Sequence, residues 1–184
     1  RIAHEIKGVS DRVLPYLYDR RGGVLNTLLV SPPGCGKTTM LRDIIRHLSD
    51  GTKYGQGVNV SGVDERSEIE GSYLGIAQKD VGIRTDVLDG CPKQEGMMLL
   101  IRAMAPQVLA VDELGSEGDI RALQMASGCG CRLIATIHGE SLEEIRRKKY
   151  MRDIMEDRLF ERYLVLTKKN GQWEGIYDGE GLRC

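Results

Sequence analysis

The sequence predicts an α/β fold, with a mainly parallel sheet flanked by helices and a C-terminal β-hairpin. Three observations carry this. Apolar runs at 24–30 and 107–111 each end in polar, chemistry-bearing residues. Amphipathic stretches separate the runs at helical spacing. Near the C-terminus, residues 160–167 and 172–177 flank Lys169-Asn170-Gly171, a turn signal between two strand-like segments.

The first apolar run enters Ser31-Pro32-Pro33-Gly34-Cys35-Gly36-Lys37-Thr38-Thr39, and a helical pattern over 37–48 leaves it. Strand, glycine-rich loop and helix form the context of a phosphate-binding loop. Gly34 and Gly36 allow backbone torsions that aim several N–H groups at one anion. The helix N-terminus adds unpaired N–H groups and its dipole. Lys37 supplies a full charge to the β- and γ-phosphates, and the Thr38 hydroxyl is placed for Mg²⁺. Pro33, Gly34, Cys35, Gly36, Lys37, Thr38 and Thr39 are therefore the expected nucleotide-binding residues of the loop. Ser31 stands where the usual pattern begins with glycine, and Pro32-Pro33 stiffens the entry.

The run at 108–111 ends in Asp112-Glu113, a Walker B pattern. Asp112 is expected to hold Mg²⁺. Glu113 is expected to polarise the attacking water, since a carboxylate is ionised at neutral pH and orients water by hydrogen bonding. ATP and Mg²⁺ are the cofactors this pair of motifs calls for.

The remaining elements follow in order. Residues 1–23 read as a linker or packing segment, with a helix over 7–18 interrupted by Pro15, and residues 24–184 as the catalytic domain. The chain starts at Arg1 without Met, which points to a missing N-terminal domain. Residues 56–63 alternate as a strand and run into Asp64-Glu65-Arg66-Ser67-Glu68. An acidic cluster after a strand lies where an α/β sheet places functional groups, so Glu65 or Glu68 is a catalytic or metal-tuning candidate. Residues 81–88 read as a strand and 93–105 as a helix ended by Pro106. Ser116 and Asp119 form a capping box for the next helix. The strand over 132–136 leads to Thr136-Ile137-His138-Gly139, where Thr136 or His138 can sense the γ-phosphate. Ser141 and Glu144 give a second capping box, on a helix whose Arg146-Arg147-Lys148-Lys149 reads as a solvated basic face, the alternative being a contact with an acidic partner, a membrane surface or a neighbouring subunit.

The formal net charge of −1 gives no general attraction to nucleic acid, and one Trp and one Phe leave little for base stacking. A nucleic-acid motor is thus disfavoured, as is a GTPase, which would carry an Asn-Lys-x-Asp motif. A nucleotide-gated scaffold with little turnover is the non-enzymatic alternative. The five cysteines are odd in number and irregular in spacing, as in a reduced cytoplasmic chain. No apolar run reaches the length of a membrane span.

The stretches 1–3 with Glu5, 31–39, 63–69, 82–88, 101–106, 108–115 and 133–139 resemble the stage III sporulation protein AA family of endospore-forming bacteria. That family is similar to the ATPases of type II and type IV secretion systems. The resemblance implies a RecA-like P-loop core that assembles into a homo-hexameric ring with ATP at subunit interfaces. It also implies Glu65 at an acidic-box position and His138 in a histidine box that meets the nucleotide. The implied setting is the mother-cell cytoplasm, beside membrane channel proteins of a secretion-like complex, with no nucleic-acid partner. Arg84 and Arg102 are the candidates for an arginine acting on a neighbour's nucleotide.

Overall fold

The computed structural model describes residues 6–71, 76, 78–167 and 173–184. The expected turn at 169–171 and the stretch 1–5 lie outside these residues. Seven strands form one sheet: β1 (Thr27–Ser31), β2 (Val60–Asp64), β3 (Thr85–Asp89), β4 (Val108–Leu114), β5 (Arg132–His138), β6 (Arg162–Leu166) and β7 (Trp173–Asp178). Their spatial order is β3-β2-β4-β5-β1-β6-β7. All neighbours are parallel except β6 and β7, the expected hairpin. The helices are α1 (Lys37–Asp50), α2 (Lys93–Met104), α3 (Glu117–Gly128), α4 (Leu142–Arg147) and α5 (Lys149–Glu156).

Side chains alternate across each central strand and so divide the core in two. Leu28, Val30, Leu109, Val111, Leu133, Ala135 and Ile137 point to the face covered by α2, α3 and α5. Leu29, Val108, Ala110 and Ile134 point to the other, where α1 contributes Met40, Leu41, Ile44, Ile45 and Leu48. Central strands buried on both faces favour apolar residues, which is why β1, β4 and β5 are mostly apolar, with Thr136 the buried exception inside β5.

Several elements differ from expectation for local reasons. The segment over 7–18 is a series of turns with a 3₁₀ helix at Leu14–Leu17, because an α-helix running from residue 7 would place Pro15 in its interior, without an N–H to donate. Val13, Leu14, Leu17 and Tyr18 nonetheless pack against the core beside α1. β2 starts at Val60 rather than 56, since Val58 N–H donates to Leu48 O at the end of α1. β3 starts at Thr85 rather than 81. The residues before it dock on the same helix end, with Arg84 N–H on Ser49 Oγ at 2.6 Å. The basic helix is broken into α4 and α5 at Lys148, whose ψ of 118° is extended. The Lys148 ammonium donates to the His138 carbonyl, so this lysine leaves the solvated basic face and fastens the end of β5.

The capping box at Ser116 and Asp119 is complete. At Ser141 the Glu144 N–H donates to the serine hydroxyl, but the Glu144 carboxylate accepts from Glu140 N–H, one residue before the cap.

Candidate nucleotide site

Parallel strands place their C-terminal ends on one edge of the sheet, so the residues after β1, β2, β4 and β5 converge. Ser31 pairs in register with His138, and Val63 with Val111. β5 lies between the strand that enters the loop and the strand that carries Asp112.

Gly34 and Gly36 adopt φ of 78° and 85°, the left-handed region that other residues resist. Gly36 caps α1. Ser31 is the last residue of β1, fully buried, with its hydroxyl donating to Pro32 O at 3.0 Å. It shows no positive φ, so this position needs no glycine. Lys37 is buried, with Nζ 3.6 Å from Asp112 Oδ1. The Thr38 hydroxyl donates to Asp112 Oδ2 at 2.8 Å. The Thr136 hydroxyl donates to the other oxygen of Asp112 and accepts from Glu113 N–H at 2.8 Å. Cation, hydroxyls and carboxylate are thus mutually satisfied at one point.

Glu113 stands at an irregularity of β4, where the register with β5 shifts between Val111 and Leu114. Its φ is 63°, sparsely populated for a side chain larger than hydrogen. Four contacts hold it there. Its carboxylate meets His138 Nε2 at 2.6 Å and the Arg66 guanidinium. Its carbonyl accepts from Lys93 Nζ at 2.6 Å, and its N–H bonds Thr136. Because a carboxylate only accepts, Nε2 of His138 carries the proton towards it. His138 Nδ1 is buried and finds no hydrogen-bond partner among the described residues.

The loop after β2 winds around Asp64. This carboxylate is 2% exposed and accepts backbone N–H bonds from Glu68 at 2.8 Å, Ile69 at 2.7 Å and Glu70 at 3.3 Å. Burial pushes its carboxyl above the ordinary range, against the pull of those three donors. Arg42 of α1 is buried beneath the loop and donates to the carbonyls of Glu68, at 2.7 Å, and Ile69. The loop is therefore a rigid platform bound to the helix that follows the glycine-rich loop.

A cleft of about 450 Å³ opens over this edge. Pro33, Gly34, Gly36, Lys37, Thr38, Thr39, Arg42, Arg66, Glu68, Glu113 and His138 line it with Ile6. Cys35 is buried, its thiol 3.8 Å from the Pro33 carbonyl, and stays out of the wall. Asp112 lies behind Lys37 and Thr38. Of the two acidic candidates in the loop, Glu68 lines the cleft. Glu65 lines a small adjoining recess with Asp112 and Glu113, its carboxylate 3.4 Å from Lys93 Nζ, the same ammonium that donates to the Glu113 carbonyl.

Neither trans-arginine candidate faces this cleft. Arg84 donates to Ser49 O at 2.9 Å at the C-terminal end of α1. Arg102 lies in the last turn of α2, which precedes β4 and so sits at the opposite edge of the sheet. The sequence reading assigned no role to Arg42, Arg66 or Lys93. An arginine four residues after Thr38, on the buried side of an amphipathic helix, was the one signal available for Arg42.

Comparison with known proteins fits this geometry. A structure of the ATPase DotB from Legionella pneumophila superimposes with a TM-score of 0.61 at 16% identity, covering 89% of this chain and 46% of that one. The pilus retraction motor PilT with bound ADP gives 0.63 at 15% identity, covering 90% and 49%. These likenesses show the P-loop ATPase fold. Among sequences, the uncharacterized protein ycf45 of Porphyra purpurea is 30% identical over 134 residues, covering 70% of this chain and 22% of that protein. Stage III sporulation protein AA of Bacillus subtilis (strain 168) is 44% identical over 183 residues, 98% of this chain. The chain spans 59% of the length of that relative. The family described as "Sporulation stage III, protein AA" matches residues 1–184, and the chain belongs to that family.

Proposed function

We propose that this chain is an Mg²⁺-dependent ATPase domain that works in a homo-oligomeric ring, a hexamer by analogy with secretion ATPases. Its hydrolysis would power assembly of, or transport through, a membrane-associated channel during endospore formation. The observation that carries the catalytic part is the meeting of Lys37, Thr38 and Asp112 at one point beneath a cleft walled by Glu113 and His138. The sporulation setting rests on kinship with the Bacillus subtilis protein, and the ring on likeness to secretion and pilus ATPases. In this reading residues 1–23 connect to a further domain. Among the described residues, no helix is long and apolar enough to cross a membrane, so the channel would be a partner of this domain.

The residues present fit a nucleoside triphosphate and its metal. Two glycines with positive φ open the loop backbone to an anion, and a buried lysine and hydroxyl share one carboxylate with room above them. Thr38 and Asp112 would hold Mg²⁺, which supplies charge neutralisation across the β- and γ-phosphates. Lys37 and the backbone N–H groups of residues 34–38 bind and orient the phosphates. Glu113 orients water and takes its proton, and Thr136 fixes the backbone from which that carboxylate projects. His138, on the Glu113 carboxylate at 2.6 Å, orients that group at the γ-phosphate end of the cleft.

One observation favours a second reading. The Glu113 carboxylate is engaged by both Arg66 and His138, as in a nucleotide-gated subunit with little turnover by itself. Two variants separate the readings. Lys37→Ala should abolish ATP binding in calorimetry, whereas Glu113→Gln should keep binding and lose hydrolysis. Wild-type turnover by Glu113→Gln would refute the role given to Glu113, and tight binding without any wild-type turnover would favour the scaffold.

A further inference from the structure

We propose that Arg66 is the γ-phosphate sensor of this site, exchanging its bond to Glu113 for the terminal phosphate and thereby freeing the carboxylate for water. This rests on the ATPase reading above and assigns a residue within it. Three cations line the cleft, and two already have a role, Lys37 on the phosphates and Arg42 on the loop. Lys37 is buried on Asp112. Arg42 is buried and bonds the carbonyls of Glu68 and Ile69. Arg66 differs: its side chain is 63% exposed, and its partner among the described residues is the Glu113 carboxylate.

The chemistry favours an exchange. An exposed ion pair is weak, because water screens both charges and two side chains must be ordered to form it. A guanidinium binds a phosphate through parallel charge-assisted bonds, which a single carboxylate already shared with His138 matches poorly. The platform also makes the exchange local. Asp64 fixes the N–H groups of residues 68–70, and Ser67, at φ 54°, donates its hydroxyl to Asp89 at 2.6 Å. The backbone on the C-terminal side of Arg66 is therefore held while the side chain reaches into the cleft. ADP lacks the terminal phosphate and would leave Arg66 on Glu113. The bond then keeps the carboxylate from acting in the absence of ATP.

The test measures binding of ADP and of adenylyl imidodiphosphate, with Mg²⁺, to wild type, Arg66→Ala and Arg66→Lys. Arg66→Ala should leave the ADP affinity within about twofold and reduce the preference for the triphosphate by about tenfold or more, the worth of a hydrogen bond to a charged group. Arg66→Lys should recover part of that preference, since it keeps the charge without the fork. Glu113→Gln should tighten triphosphate binding in wild type but not in the Arg66→Ala background, a coupling read by a double-mutant cycle. An unchanged preference in Arg66→Ala, with ADP still bound, overturns the sensor alone. Equal weakening of both nucleotides also overturns it, by making Arg66 a general phosphate contact or a loop support. Wild type that binds neither nucleotide overturns the sensor and the ATPase reading together.

Discussion

Replacing Asp64 by alanine tests whether the acidic loop is a platform. The carboxylate is 2% exposed and accepts two short N–H bonds, from Glu68 at 2.8 Å and Ile69 at 2.7 Å, with a longer one from Glu70 at 3.3 Å. Hydrogen bonds to a charged acceptor contribute about 1.5–3 kcal/mol each. Relaxation of the loop towards water recovers part of this, and burying a carboxylate has its own cost. A net loss of about 3 kcal/mol is expected. For a chain of this size that lowers the melting temperature by about 6–12 °C. The loop should also lose amide protection at residues 68–70, which hydrogen exchange resolves while the strands β4 and β5 stay protected. Because Arg66 and Glu68 ride on the loop, the variant should bind ATP more weakly than ADP relative to wild type. A change under about 1 kcal/mol, with protection at 68–70 intact, would refute the idea that Asp64 organises the loop.

Two further predictions rest on other contacts. Lys93→Met removes the ammonium that holds the Glu113 carbonyl at 2.6 Å and neutralises Glu65 at 3.4 Å. It should lower single-turnover hydrolysis by about tenfold to a hundredfold, the usual effect of a misplaced group, with ATP affinity little changed. Equal losses in binding and rate would mean that Lys93 supports the whole cleft rather than Glu113. Asp43 is buried on α1, which raises its carboxyl. Arg46, the Ser10 hydroxyl and the N–H groups of Ser10 and Gly8 outweigh burial and hold it below the ordinary range. Its folded value is depressed, so its contribution is present above the unfolded value, about 3.9, and is lost as pH falls through the folded one. Urea unfolding should show Asp43→Asn less stable than wild type at pH 7, with the gap closing below about pH 4. A gap independent of pH would contradict this.

The glycine-rich loop, the β4 carboxylates and the parallel sheet were legible because each depends on local rules. Positive φ selects glycine at 34 and 36, burial on both faces selects an apolar strand, and the strand end selects Asp112 and Glu113. The hairpin was legible for the same reason. The acidic cluster was legible as a site but not in its internal roles. Five neighbouring residues divide into the anchor Asp64, the Lys93 partner Glu65, the cleft residues Arg66 and Glu68, and the turn residue Ser67. That division depends on which way a seven-residue loop winds, and on Arg42 and Lys93, which are distant in sequence. Lys148 shows the same limit. Four consecutive basic residues read as one solvated face, yet the chain breaks between α4 and α5 and turns one of them onto His138 O. Helix breaks without proline or glycine leave no pattern to read.

Hydrolysis of ATP in this cleft, between subunits, is the part of the proposed function on which the rest depends. The most direct measurement is ATP turnover per subunit against protein concentration, with light scattering for mass, on wild type and Glu113→Gln. Turnover should rise with concentration as the oligomer grows, and Glu113→Gln should assemble and bind ATP without turnover. Flat turnover by a monomer, or equal turnover by Glu113→Gln, would contradict that reading.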